Sequence, residues 1–349
     1  MSKALRIGVV GLGMGRAHIE GYRRHARCEV VAIADVDGTR LAEIGDKYGI
    51  ARRYSSAEAM FRKEKLDAVS IAVPNKLHCP LTLAALEQGL HVLCEKPMAM
   101  TVAEAEAMKR AADKAKRNLM LNFSFRFTNA SFALKQQIED GVVGDIYFGR
   151  TVWHRRRGLP GFGGWFGNKE LSGGGPLIDL GVHRIDLALW LMGHPEPASV
   201  SGSAYNVIAK ERARREKKPY TVEDLACGLV KFKNGATLIV EASWALNTNE
   251  NEHMITALYG NKGGIVQKNV GGGYEFVGEV YTEEGGNLFT KKLDQAVVPA
   301  PTSCAEFIAS IREKRVPIAC AAEGVKVQKI LNGLYTSAAT GREVVYPGK

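Results

Sequence analysis

Leu5-Arg-Ile-Gly-Val-Val-Gly-Leu-Gly-Met-Gly-Arg-Ala-His18 is the stretch on which the fold turns. Leu5–Val10 is short, apolar and rich in β-branched residues, as in a buried parallel strand. Glycines follow at 11, 13 and 15, and a helix-like run extends to about His25. Val30–Ala34 reads as a second strand and ends at Asp35, twenty residues after Gly15. Strand, glycine turn, helix, strand and terminal acid together form the βαβ fingerprint of a dinucleotide-binding domain. The glycines allow a tight turn and let a pyrophosphate approach backbone N–H groups at a helix N-terminus. The third glycine comes one residue earlier than the usual spacing and leaves Arg16 at that place, which we read as a loop shortened by one residue. A carboxylate at Asp35 suits the ribose hydroxyls of NAD and repels the 2′-phosphate of NADP; Arg16 and Arg40 offset that repulsion in part, so NAD is favoured.

Helix and strand keep alternating. Leu41–Tyr48, Ser56–Lys63 and Leu81–Gln88 read as helices, and Asp67–Val73, His91–Cys94 and Leu119–Phe123 as strands. Thr101 and Glu104 form a capping box before a helix over Val102–Lys116. Ligands of such sheets lie beyond the C-terminal ends of the strands, so Val73, Pro74, Asn75, His78, Glu95 and Lys96 are expected around a nicotinamide, with Gly11, Leu12, Gly13, Met14, Gly15, Arg16 and Asp35 around the rest of the cofactor.

Past residue 125 the pattern changes to strands joined by short turns: Ile146–Trp153, Ala198–Asn206, Asp224–Phe232, Ala236–Ala245, His253–Tyr259, Gly263–Gln267 and Tyr274–Val277. Lys233-Asn-Gly235 is a hairpin signal through its Asn-Gly step. An antiparallel sheet follows. Helices are expected at 130–140, 301–313 and 322–339. The fold class is therefore α/β: a Rossmann domain over 1–124, and an α+β domain over 125–349.

Ser172-Gly-Gly-Gly-Pro-Leu-Ile-Asp-Leu-Gly-Val-His-Arg-Ile-Asp-Leu-Ala-Leu-Trp-Leu191 stands out in the second part. As a helix it lines up Asp179, His183 and Asp186 at spacings of four and three, with Ile178, Val182, Ile185 and Leu189 left for the core. Three readings are open: a metal site, an acid–base site, or a satisfied polar seam. Just before it, Trp153-His-Arg-Arg-Arg157 and the glycine-rich aromatic loop 158–166 offer rings for the apolar faces of sugars and guanidinium groups for polar ones. Trp153, Arg155, Arg157, Trp165 and Arg126 are the substrate candidates. Packing of the aromatic loop between domains is the competing reading.

Composition narrows the classes. At 46% hydrophobic and 24% charged residues, the 349-residue chain is an ordinary globular one. No apolar run is long enough to span a membrane. The first residues lack a signal-peptide core and cleavage site, so a cytoplasmic chain is expected. Six scattered cysteines form neither a zinc-knuckle nor a disulfide pattern, and reduced thiols are expected. A charge of +10 permits anion binding. The basic run Lys210–Lys218 is broken by glutamates and has no recognition motif beside it, so a solvated loop or helix is expected rather than a nucleic-acid patch.

The chain resembles the Gfo/Idh/MocA oxidoreductases. The matching stretches are G-L-G-M-G-R-A-H (11–18), A-V-P-N-K-L-H (72–78), C-E-K-P (94–97), F-S-F-R-F (123–127) and G-G-G-P-L-I-D-L-G-V-H (173–183). The short glycine loop departs from the family pattern, as does Phe125, where many members have an arginine. The resemblance implies an NAD(P)-dependent enzyme acting on the hydroxyl or ketone of a sugar, sugar derivative or cyclitol. It makes Lys96, Asp179 and His183 the catalytic set. It also implies a large, mostly antiparallel open sheet in the second domain, whose exposed face would mediate a homodimer or homotetramer. In that reading His183, with an unperturbed pKa near 6.5, is the acid–base group, Lys96 stabilises the alkoxide and Asp179 orients. The reaction calls for no metal, and none is expected. Two alternatives are a glycosidase that oxidises its substrate transiently with NAD, and a non-catalytic NAD-binding regulator.

Overall fold

The computed structural model describes residues 3–347, which fall into two compact units: one up to 123 together with 301–328, and one over 124–300 together with the described residues from 329 on. In the first unit β1 (Leu5–Val10) leads through the glycine turn into α1 (Gly15–Arg23). β2 (Cys28–Ala34), α2 (Gly38–Tyr48), β3 (Arg52–Tyr54), α3 (Ala57–Lys63) and β4 (Ala68–Ile71) follow, then α4 (His78–Glu87), β5 (His91–Cys94), α5 (Val102–Ala115) and β6 (Leu119–Leu121). All six strands are parallel, in the order β3-β2-β1-β4-β5-β6. The reversal of winding at β1 and β4 is the switch point at which such sheets bind ligands.

Local chemistry explains the helix ends. The Asp37 side chain caps α2, and Gly49 closes it at a φ of 68°. The Thr101–Glu104 capping box is present at the start of α5. The central strands carry Ile7, Val9, Val69, Ile71, Val92 and Leu93, all fully buried. Helices on both faces account for that continuous apolarity.

In the second unit a 3₁₀ turn over Ser124–Phe127 precedes α6 (Asn129–Glu139) and β7 (Ile146–Arg155). Next come α7 (Lys169–Ser172), a π-helical turn (Leu177–Gly181), α8 (Val182–Leu191), β8 (Pro197–Tyr205) and α9 (Ile208–Glu216). β9 (Leu225–Phe232), β10 (Thr237–Ser243), β11 (Glu252–Gly260), β12 (Gly263–Asn269), β13 (Phe276–Glu284) and β14 (Asn287–Lys292) complete it, with β15 (Val344–Val345) at the far end of the chain. The nine strands run in the order β14-β13-β12-β11-β7-β10-β9-β8-β15, antiparallel apart from the β7–β10 pair. The Asn-Gly turn joins β9 to β10, with Gly235 at a φ of 87°. Every residue of α8 is buried.

Several expectations are corrected. The strand expected at Tyr274–Val277 is β13 at Phe276–Glu284, and β14 follows it. The basic run at 210–218, expected as a solvated loop or helix, is of the two mostly helical, in α9. The expected division, 1–124 and 125–349, differs from the compact units in the segment 301–328. There α10 (Ser303–Arg312) and the first turns of α11 (Ala321–Thr340) pack with the first unit. Phe307 is fully buried, the Arg312 guanidinium donates to the carbonyls of Lys3 and Arg27, and Leu121 N–H donates to Ala319 O at 2.9 Å. No described helix is long and apolar enough to cross a membrane.

Candidate functional site

In the first unit the glycine loop has the shape its sequence demands. Gly11 adopts a φ of 80°, and a Cβ there would press on the Ala72 carbonyl. At Gly13 nothing lies within 4 Å of a Cβ position, which leaves open space for a ligand. A Cβ at Gly15 would meet Val9 Cγ1 at 2.9 Å, so this glycine lets α1 sit close on β1. Gly15 thus does the packing work of the third glycine despite the shortened spacing.

Asp35 is held tightly. Its Oδ2 accepts from Leu12 N at 2.7 Å, its Oδ1 from Asp37 N at 2.8 Å, and Arg40 Nη1 approaches within 3.3 Å. Only 4% of the side chain is exposed. Asp35 therefore pins the glycine loop to the end of β2. The neighbouring cavity, about 320 Å³, is lined instead by Gly13, Arg16, Asp37, Thr39 and Arg40 among others. Asp37, which the sequence reading did not single out, is the more accessible carboxylate there. This cradle fits the adenosine and pyrophosphate portions of a dinucleotide.

Around Glu95-Lys96-Pro97 the neighbours are unexpected. Glu95 Oε1 lies 2.8 Å from His18 Nε2 and accepts from Asn122 Nδ2 at 2.6 Å, while Oε2 accepts from Lys96 N at 3.2 Å. Burial works to raise the Glu95 pKa, but the His18 hydrogen bond and charge, with Asn122 and Lys96, outweigh it and hold the group down at about 2. His18 and Asn122 are thus site-building residues that sequence reasoning missed. His78, expected beside the cofactor, is fully buried, with Nδ1 2.7 Å from Pro97 O and Nε2 2.9 Å from Val73 O. It joins the turn after β4 to the turn after β5. Asn75 is also buried, whereas Val73, Pro74 and Lys96 are partly exposed at the strand ends.

In the second unit a glycine bend delivers the helix that carries Asp179 and His183. Glu223, buried, accepts Gly175 N–H at 2.8 Å, Leu177 N–H at 3.1 Å and the Tyr335 hydroxyl at 2.7 Å. Burial raises its pKa, and these donors act against that. A Cβ at Gly175 would run into the Glu223 carbonyl, so only glycine fits. Asp179 lies in the π turn, and its Oδ2 accepts from Trp244 Nε1 at 3.0 Å. π turns of this kind are frequent at functional sites. Four residues on, His183 packs edge-on against Phe125 (4.8 Å between centroids) and tilts against Trp153 (5.7 Å). As expected, Ile178, Val182, Ile185 and Leu189 are in the core.

Asp186 pairs with Arg126, through Nε at 2.8 Å and Nη2 at 2.5 Å, both side chains essentially without exposure. Arg126, a substrate candidate from the sequence, is thus buried against Asp186. Trp153 is also buried; its indole donates to Glu252 at 2.7 Å. The same carboxylate accepts from Arg155 Nε at 2.9 Å and from the Tyr274 hydroxyl. Burial disfavours the Arg155 charge, but Glu252, Tyr274 and Asp179 together raise its pKa. Arg157 is exposed and donates to Asn247 Oδ1. Trp165 stacks on Phe166 at 3.9 Å, and Phe166 meets Trp244 edge-on, so the aromatic loop reaches Asp179 through the indole that holds it. Trp244 and Glu223 carried no sequence signal, since each acts on residues about 50 to 65 positions away.

Comparison with known proteins identifies the family and the fold. Residues 5–123 match the family model described as "Oxidoreductase family, NAD-binding Rossmann fold", and residues 132–266 match the GFO/IDH/MocA C-terminal domain. The chain is 35% identical to the D-glucoside 3-dehydrogenase of Escherichia coli K12 over 98% of both chains. It is 30% identical to the levoglucosan dehydrogenase of Pseudarthrobacter phenanthrenivorans over 75% of this chain and 73% of that one. A solved levoglucosan dehydrogenase in complex with NADH and levoglucosan superimposes with a TM-score of 0.85 at 25% identity, covering 99% of this chain and all of the other. With its NAD-binding Rossmann fold and its mostly antiparallel partner unit, the chain belongs to the Gfo/Idh/MocA family of oxidoreductases.

Proposed function

We propose that this protein is an NAD-dependent dehydrogenase that oxidises a secondary hydroxyl of a sugar, sugar derivative or cyclitol, or reduces the matching ketone. One observation supports this above others. Asp179 and His183 are held in fixed places by Trp244 and by the Phe125–Trp153 pair, on a buried helix whose approach is clamped by Glu223. Such restraint is what an acid–base group needs and a mere polar seam does not. The relatives named as glucoside and levoglucosan dehydrogenases support carbohydrate as the substrate class.

NAD, when bound, supplies the hydride acceptor. Gly13 would give its pyrophosphate a close backbone approach, in a turn that Gly11 and Gly15 make possible, and Asp37 and Arg40 would hold the ribose side. Removing hydride from a carbinol carbon leaves a carbonyl only if the hydroxyl proton departs as well. In this reading His183 takes that proton, Lys96 stabilises the negative charge that develops on oxygen, and Asp179 orients the hydroxyl. Trp165, Phe166 and Arg155 are the candidates for binding the rest of the sugar. The assembly implied is a homodimer or homotetramer formed through the sheet of the second unit.

The test is a panel of glucosides, free sugars, anhydrosugars and inositols with NAD and NADP, followed by two variants on the best substrate. Lys96→Met and His183→Ala should keep NAD affinity within about threefold and lose at least about a thousandfold in kcat. Full turnover in either variant would remove that residue from the mechanism. Aryl-glucoside cleavage without accumulation of NADH would favour the transiently oxidising glycosidase instead.

A further inference from the structure

Arg184 follows His183 directly on α8 and has none of its surface exposed. Among the described residues it makes no ion pair. Nη1 donates to Gln267 Oε1 at 2.9 Å and reaches Thr256 Oγ1 at 3.5 Å, whereas Nε and Nη2 have no hydrogen-bond partner among the described residues. Burial alone pushes its pKa down to about 9. In place of a carboxylate the guanidinium faces three rings, at 4.5 Å from the Phe125 centroid, 5.4 Å from Phe276 and 5.6 Å from Trp153.

A buried charge without a counter-ion is unfavourable, and ring faces compensate only part of that. An apolar side chain of similar volume would be easier to bury. Stability therefore does not explain the arginine, but its neighbours suggest what does. Phe125 and Trp153, which lie 5.1 Å apart and edge-on, are the two rings that bound the His183 imidazole. Each ring thus touches the cation and the imidazole at once. Gln267 fixes the guanidinium in turn, because its Nε2 donates to Ser131 Oγ at 2.7 Å on α6.

We propose that Arg184 is a positioning residue for His183, acting through Phe125 and Trp153: the cation holds both rings by their faces, and the rings hold the imidazole in the orientation that accepts the substrate proton. The inference rests on His183 being the acid–base group of the proposed reaction.

The experiment is a double-mutant cycle on the full-length protein. Arg184→Met should lower kcat at least about tenfold while KM for NAD stays within about twofold and the melting temperature does not fall. Arg184→Lys, which keeps a cation over the rings, should recover most of the loss. In a Phe125→Leu background the Arg184→Met change should cost clearly less than in the wild type, because one of its two routes to the imidazole is already gone. Wild-type kcat in Arg184→Met, or losses that simply multiply in the double variant, would overturn the proposal. If Arg184→Met does not fold, the same cycle is run with Arg184→Lys, whose coupling to Phe125→Leu supports the inference and whose independence overturns it. His183→Ala separates the two readings. Full turnover there defeats the acid–base assignment itself; an inactive His183→Ala beside an unaffected Arg184→Met defeats only the role of Arg184.

Discussion

Glu95 shows how one residue of a short motif is set by others that the motif does not contain. Its carboxylate is mostly out of solvent, yet His18 and Asn122 keep it ionised, with a pKa of about 2 against an ordinary 4.5. A folded-state pKa depressed in this way adds stability above the unfolded-state value and loses it as pH falls towards the folded-state value. Glu95→Gln should therefore melt several degrees below wild type at pH 7, and the gap should narrow as pH falls from about 4.5 to about 2. Melting curves across that range check it, and a gap that is independent of pH would refute it. The motif Glu95-Lys96-Pro97 was legible because it is contiguous. His18 and Asn122, 77 and 27 residues away, were not, since a hydrogen bond across a sheet leaves no local spacing to read.

At the level of elements, strands and helices with a strong apolar period were placed within a few residues, and the glycine turn was read as a tight turn before a helix, whereas the packing role of Gly15 came only from the structure. The misses share a cause. β14 is exposed along its whole length and lacks the alternation that marks a half-buried strand. For α9 the sequence left loop and helix both open, because it buries only Ala209 and Ala213, too narrow a stripe to decide. The π turn before α8 has no compositional signature, so the sequence did not show that Asp179 lies outside the regular helix. Asp186 ties α8 to the 3₁₀ turn at Ser124–Phe127 through Arg126. Removing one partner strands a buried charge, so Asp186→Ala should cost about 3–5 kcal/mol in denaturant unfolding. Arg126→Met combined with Asp186→Leu should recover most of that, because apolar groups can replace a buried pair without stranding either charge. Equal losses in the single and double variants would show that the pair is not the source of the stability.

For the whole molecule, the order of the chain and the grouping of its contacts do not coincide. Composition placed a boundary near residue 124, where parallel strands give way to antiparallel ones. Nothing in composition marks 301–328 as returning to the first unit, because a helix on a Rossmann sheet and a helix on an open sheet show the same apolar period. Yet Phe307, Ile308 and Ala319 are buried there, Cys304 sits where a side chain on Gly21 would have to go, and Arg315 holds Glu306 while Asn118 donates to the Arg315 carbonyl. Losing the burial of Phe307 and Ile308 alone forfeits roughly 3–6 kcal/mol, against the roughly 5–15 kcal/mol that keeps a domain folded. A fragment of residues 1–124 should therefore melt without a cooperative transition and show no NAD-dependent rise in melting temperature. The full chain should give both, since a ligand at about a hundred times its Kd adds roughly 2.7 kcal/mol. A fragment that melts sharply and is stabilised by NAD would show that 301–328 is an accessory to the Rossmann unit rather than part of its core.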